Sequence, residues 1–207
     1  MKYVYAILSR TNTGVAKVIR FFTKYELNHA SFSLDGDISH MYAFGRKKSK
    51  PALNGGFIVE TPGRCCAGDL DMRVKVFRFK VSDKNYSRML NEIELLKKKG
   101  DTCTYNFFGA LGYLFGKEVN IPYSYTCIEF VEHILGIKKK MKIDEFDKFF
   151  DRCAIYDGSY KEYLHLPEYT EPDKNFFKKD SIVKRTRLVA GHFKRIFKSA
   201  RSRRKVK

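Results

Sequence analysis

In the stretch "YSYTCIEFVEHILG", Tyr123 to Gly136, Cys127 follows a threonine and precedes a glutamate by two positions. Thr126 and Glu129 match the S/T-x-x-E capping box. In that box the hydroxyl accepts from the third helical N–H, and the carboxylate reaches back to the N–H of the cap. The pattern predicts a helix from Cys127 to Leu135, with Cys127 at its first position. Unbonded N–H groups and the positive end of the helix dipole lie there. Such a place favours a thiolate, and a nearby imidazole or cation can bring a thiol from about 8.5 down to roughly 3.5–7.5. The same N–H groups could steady an oxyanion on a carbonyl that the sulfur attacks. Phe130, Val131 and Ile134 lie three, four and seven positions beyond Cys127, so the cysteine also ends the inward stripe of the helix. Spacing alone suits an inert core cysteine equally well.

A nucleophilic thiol needs a base, and the chain has five histidines. His133 is six residues beyond Cys127, on another face of the helix. His165 falls in a late loop and His192 in a basic C-terminal stretch. His29 begins "HASFSLDGD", a period-two strand with His29, Ser31 and Ser33 on one face and Ala30, Phe32 and Leu34 on the other. "DGD" makes a tight turn, and "SHMYAFGR" pairs back, which brings His40 onto the same hairpin. His29, with polar neighbours on its face, is the better base. His40 could bond the far nitrogen of His29 and set its tautomer. Tyr125 or Tyr123 could add a second oxyanion donor.

The elements that must position these groups follow from periodicity. "KYVYAILSR", "GFIVETP" and "RVKVFRFKVS" read as strands. "TGVAKVIRFFTK", with Val15, Val18, Ile19 and Phe22 at helical spacing, reads as a helix. So does "SDKNYSRMLNEIELLKKKG", capped by Ser82 or Asp83 and stopped by Gly100. "YNFFGALGYLFGK" and "KIDEFDKFF" are further helices, and "YLHLPEYTEPDKN" is the loop that ends the domain. Strands first and helices later predict an α+β fold.

The chain has 207 residues and a net charge of +18. From Lys178 to Lys207 there are thirteen Lys/Arg against Asp180 alone, which places +12 in thirty residues and leaves +6 for the rest. We therefore divide the chain into a domain over 1–177 and a basic tail over 178–207. Ile182, Val189, Phe193 and Ile196 give the tail an amphipathic helical pattern. Such a tail attracts polyanions. An anionic membrane surface is the favoured partner and nucleic acid the lesser one, because no base-reading or RNA-stacking motif accompanies the cations. A charged tail that merely keeps the protein soluble is the third reading. "GYLFGK" falls short of a phosphate-binding loop. Cys65, Cys66, Cys103, Cys127 and Cys153 lack metal spacing and read as free thiols, so no metal or cofactor is expected. The apolar run Tyr3–Leu8 is too short for a signal peptide, and no uncharged run approaches 18 residues. The expected location is cytoplasmic, with the tail as a route to a membrane.

"NHASFSL…HMYAFGRK" followed about 100 residues later by "YTCIEFVEHIL" resembles the circularly permuted branch of the NlpC-like papain-fold cysteine hydrolases. That branch includes the lecithin–retinol acyltransferase-like proteins and many small bacterial proteins. The resemblance extends to "YAILSR…VIRFFTK" and covers roughly residues 3–136. It implies a permuted papain-like fold, an antiparallel sheet packed on helices with the nucleophile at a helix N-terminus. It implies His29 as base, Cys127 as nucleophile and His40 at the polar orienting position. Bacterial relatives often carry a carboxylate there, so Tyr42 or Asp35 are alternatives to His40. The implied activity is cysteine-dependent hydrolysis or acyl transfer on an amide, ester or thioester of a small-molecule, peptide or lipid substrate. The competing reading is a non-catalytic basic protein that binds nucleic acid or membrane through its tail.

Overall fold

A computed structural model describes residues 1–11, 25–51, 53–114 and 121–204. The helix expected over "TGVAKVIRFFTK" and the end of "YNFFGALGYLFGK" lie outside the described residues. The chain forms an α+β fold around a six-stranded antiparallel sheet of order β4-β3-β2-β1-β5-β8. Its strands are β1 (Lys2–Ser9), β2 (His29–Ser33), β3 (Met41–Arg46), β4 (Gly55–Glu60), β5 (Arg73–Val81) and β8 (Ala154–Ser159). Two-residue strands β6 (Thr104–Tyr105) and β7 (Ser124–Tyr125) form a separate parallel pair. The helices are α1 (Pro62–Cys65), α2 (Asp83–Lys99), α3 (Phe107–Leu114), α4 (Cys127–Leu135), α5 (Ile143–Phe150), α6 (Tyr160–Tyr163), α7 (Lys174–Phe177) and α8 (Ile182–Arg204).

Central β1 is covered on both faces. Val4, Ala6 and Leu8 join Ala30, Phe32, Phe44 and Phe77 against α2, α4 and α5, while Ile7 faces a smaller cluster with Met41, Val74, Val76 and Tyr160. Alternation in a strand buried on both sides explains why "YVYAIL" is nearly all apolar. Helix α2 is capped by Ser82, whose hydroxyl accepts from the Asn85 N–H at 3.2 Å, and Gly100 ends it at a φ of 50°. Helix α4 buries Phe130, Val131 and Ile134 against β2 and β3, each burial contributing about 1.5–3 kcal/mol.

Several elements depart from the sequence-based expectation, among them strand β6, which takes Tyr105 out of the expected helix. Strand β8 was not foreseen, because "AIYDGS" carries only weak alternation at the sheet edge. The C-terminal stretch forms the expected basic helix, but it is not a free tail. His192 is fully buried in it and Ile196 is 1% exposed, and Phe193 and Phe197 meet Phe108 at ring distances of 6.1 and 6.3 Å. Asp180 anchors its start through Lys48 (2.6 Å) and Lys184 (2.8 Å). Of the apolar stripe of α8, Ile196 is covered by the body and Val189 and Phe193 are partly covered, Ile182 is exposed, and the cations that face out include Arg187, Lys194 and Lys198.

Candidate active site

Helix α4 begins as its sequence requires. The Thr126 hydroxyl accepts from the Glu129 N–H at 3.3 Å, and the Glu129 carboxylate accepts from the Thr126 N–H at 2.7 Å. Gly136 closes the helix at a φ of 75°, where a residue with a Cβ would be strained. Cys127 is thus held at the first helical position, 5% exposed.

His29 opens β2, and its imidazole lies close enough to the Cys127 sulfur for the two to shift one another's titration. The other side of the imidazole is taken by a carboxylate: Nε2 lies 3.0 Å from Glu60 Oε1 at the end of β4. With Nε2 taken by Glu60, Nδ1 is the ring nitrogen available to a thiol. Ser31 Oγ donates to Glu60 Oε2 at 2.6 Å, so both carboxylate oxygens are occupied. The His29 and Glu60 side chains are only 13% and 12% exposed. Gly45 leaves space for Ile58: a Cβ there would stand 2.8 Å from Ile58 Cδ1, with His29 Cε1 at an ordinary contact distance of 3.6 Å.

Electrostatics match this geometry. Burial alone would push the His29 imidazole down, but the Glu60 carboxylate and the Cys127 sulfur hold it well above its ordinary value. Burial alone would raise the Cys127 thiol. Its interactions with His29, the Ala30 N–H and the Tyr105 hydroxyl outweigh burial and bring the thiol down. Burial would likewise raise Glu60, yet His29, Ser31 and Arg64 keep its carboxylate low. The three groups therefore favour carboxylate, imidazolium and thiolate together. By contrast, burial pushes the thiols of Cys65 and Cys103 up and that of Cys66 up to about 12. All five cysteines are free.

Tyr105 completes the cluster. Its hydroxyl lies near the sulfur and backbone N–H of Cys127, and burial with the neighbouring sulfur holds the phenol well above its ordinary value, so it stays protonated. The tyrosine at the sulfur is thus neither Tyr125 nor Tyr123. Tyr125 is the ladder partner of Tyr105, but its ring stacks on His133 (5.0 Å) and meets Phe44 edge-on (5.1 Å). Tyr123 turns outward at a φ of 54°, under the Lys99 ammonium at 4.0 Å.

His40 is not the orienting residue. It is exposed ahead of β3, with Nδ1 3.0 Å from Ser39 Oγ. The alternatives fail as well: Tyr42 stacks on Phe57 and accepts from Lys97, and Asp35 is exposed in the turn. Glu60 takes the place that was sought. A signal for it existed, since residues 56, 58 and 60 share one strand face and a carboxylate continuing from Ile58 needs a buried partner. Tyr105 was hidden in an expected helix, yet Asn106 caps α3 by accepting from the Gly109 N–H at 2.8 Å and marks Tyr105 as lying before it.

A cavity of about 350 Å³ lies beside β7 and α4, lined among others by Ser124, Tyr125, Glu129 and Glu132, and neither Cys127 nor His29 is on its wall. No group of three or more His, Cys, Asp or Glu among the described residues is arranged to hold a metal ion. No helix among the described residues is long and apolar enough to cross a membrane. Comparison with known proteins gives no match to a family model, to a curated protein or to a solved structure.

Proposed function

We propose that the protein is a cysteine-dependent hydrolase or acyltransferase of the permuted NlpC-like, papain-fold type, acting through Cys127, His29 and Glu60. The observation that carries this reading is the grouping of Cys127, His29 and Glu60 at a capped helix start, with His29 bonded to a buried carboxylate, the thiol lowered and the imidazole raised. An inert core cysteine has no need of a charged histidine and a buried carboxylate. The chain order, with the histidine strand before the cysteine helix, and the antiparallel sheet under that helix support the permuted form.

In this reading the thiolate attacks the carbonyl of an amide, ester or thioester and the C–S bond forms. As charge leaves the sulfur, the Tyr105 hydroxyl and the Cys127 N–H serve the new oxyanion. The His29 imidazolium gives its proton to the leaving amine, alcohol or thiol, and a thioacyl-enzyme remains. Neutral His29 then takes a proton from water or from an acceptor amine or alcohol, which attacks the thioester and returns Cys127 as thiolate. Glu60 keeps one tautomer and one ring orientation throughout. The test is site-resolved alkylation of Cys127 by iodoacetamide across pH. We expect a titration well below 8.5 that His29→Ala moves up. A free-thiol titration that His29→Ala leaves in place would refute the relay.

A second reading concerns where the enzyme works. The outward cations of α8, with Ile182 79% exposed and Val183 61% exposed at its start, suit an anionic bilayer. The rest of the apolar stripe is turned toward the body, so contact rests on charge and on the tip of the helix, not on a helix sunk along its length. Co-sedimentation with phosphatidylserine vesicles should be strong at low salt and fall in Ile182→Ser/Val183→Ser. No binding to such vesicles at low salt would end this reading, and preference for single-stranded nucleic acid would replace it.

A further inference from the structure

Helix α4 has a second side that the proposed chemistry does not use. Cys127, Phe130, Val131 and Ile134 share its inward face. Glu129, Glu132 and His133 lie on the opposite one, at the three- and four-residue spacing of neighbours on a helix. That face forms one wall of the cavity of about 350 Å³, and residues 121–125 with Ile137, Lys138 and Lys140 form the rest. The volume is that of a small-molecule site.

The cavity is acidic where it is buried and basic where it opens. Ser124, Glu129 and Glu132 are 4%, 9% and 3% exposed, whereas His133, Lys138 and Lys140 are exposed. Each carboxylate spends one oxygen on a backbone N–H: Glu129 Oε2 on Thr126 at 2.7 Å, and Glu132 Oε1 on Met141 at 2.6 Å. Among the described residues no hydrogen bond reaches Glu129 Oε1 or Glu132 Oε2. The Ser124 hydroxyl, on the same cavity, has no partner either. A glutamine would serve the Met141 N–H as well as Glu132 does, without a buried acid. Burial raises that acid to about 7 against the pull of the Met141 N–H; Glu129 and Glu145 add to the rise and Lys140 opposes it.

Two carboxylates and a hydroxyl around one space suit a cation rich in N–H donors. No group of three or more His, Cys, Asp or Glu among the described residues is arranged for a metal ion, so the cation that fits is an organic ammonium. The Tyr125 ring, stacked on His133 at 5.0 Å, gives it an aromatic side. Lys138 and Lys140 at the mouth favour an anionic group at the far end of the same molecule. We propose that this cavity binds a small zwitterion, with a primary ammonium between Glu129 and Glu132 and a carboxylate at Lys138 and Lys140. The site is separate from Cys127 and does not depend on the catalytic reading. Glu129 nonetheless belongs to both regions, because its other oxygen caps the helix at Thr126. An ammonium held here therefore braces the start of α4.

The experiment is calorimetric titration and thermal melting of the full chain with γ-aminobutyrate, butylammonium and butyrate, which share a four-carbon length. γ-Aminobutyrate is expected to bind at millimolar concentration, butylammonium about three- to tenfold more weakly and butyrate not at all, the scale of one charged contact. Bound ligand should also raise the melting temperature by mass action. The charged groups around Glu132 are Glu129 and His133 on α4, Lys138 and Lys140 after it and Glu145 on α5. To isolate Glu132 among them, affinity is compared at about pH 5.5 and 8, between which its carboxyl ionises while the ammonium stays charged; binding should tighten about three- to tenfold. Glu132→Gln keeps the acceptor for Met141 and is expected to bind γ-aminobutyrate about tenfold more weakly at the higher pH and to lose this pH dependence. Three results would each overturn the proposal: butyrate binding as tightly as γ-aminobutyrate, no heat or melting shift with any of the three, or Glu132→Gln binding as wild type does. A larger melting shift from calcium than from γ-aminobutyrate would also overturn it. Should Glu132→Gln not fold, the order of the three ligands on the wild-type chain decides.

Discussion

Glu60→Gln tests the relay most directly, because glutamine preserves its shape. The amide oxygen can still accept from His29 Nε2, and the amide can still pair with Ser31 Oγ, so only the charge is lost. The lost interaction is a charge-assisted hydrogen bond of 3.0 Å between side chains 13% and 12% exposed. Such bonds contribute about 1.5–3 kcal/mol. At about 1.4 kcal/mol per pH unit, the imidazolium should fall by roughly one to two units. With less imidazolium, the thiol loses its strongest partner and rises. The thiolate–imidazolium pair exists between the thiol and imidazole values, so its window narrows from both ends. Iodoacetamide alkylation of Cys127 at pH 7 should slow about ten- to a hundredfold, as expected for a fall of one to two units. Stability carries a matching signature. The carboxylate of Glu60 is held low, so its contribution is present above its unfolded value and lost as pH falls through the folded one. His29 is held high, so its contribution is present below its unfolded value and lost as pH rises through the folded one. The melting temperature of Glu60→Gln should therefore trail wild type most between about pH 4.3 and 6.5, the two unfolded values. An alkylation profile superimposable on wild type would refute the role given to Glu60, and a melting deficit independent of pH would reduce it to packing.

Two further outcomes follow from groups outside the relay. Thr126→Ala removes the hydroxyl that accepts from the Glu129 N–H and leaves that donor bare; a loss of about 1 kcal/mol, or roughly 2–4 °C in melting temperature, is expected by calorimetry, together with slower Cys127 alkylation. Glu132 is 3% exposed and accepts from the Met141 N–H at 2.6 Å; burial raises its carboxyl to about 7. Its neutral form is the one the fold favours, so stability is full below the unfolded value and falls as pH rises toward 7. Glu132→Gln, which keeps the acceptor, should raise the melting temperature at pH 8 and leave it nearly unchanged at pH 4.5, and an equal shift at both would contradict the burial argument.

Local information in the sequence was enough for the parts of this site that are local. The capping box at Thr126 and Glu129, the helix stop at Gly136 and the period-two strand of His29 each depend on residues within one turn or one strand. The general α+β order could also be read, because hydrophobic period decides element type over such windows. What could not be read is which strand lies beside which. Glu60 reaches His29 only because β4 joins the sheet two strands away from β2, and His40, nearer in sequence, is carried outward by the turn. Tyr105 and Tyr125 sit opposite one another on the β6–β7 ladder, and packing alone gives one of them the sulfur.

The sequence by itself therefore determined Cys127 at a helix start, His29 on a strand and a basic C-terminal helix, since each is a property of neighbouring residues. Only the tertiary structure decided that Glu60 orients the imidazole, that Tyr105 stands over the thiol and that the basic helix is docked through His192 and Ile196. Those choices rest on contacts between residues from about 20 to more than 130 positions apart. Strand order and the burial of particular faces set them, and no local periodicity encodes either.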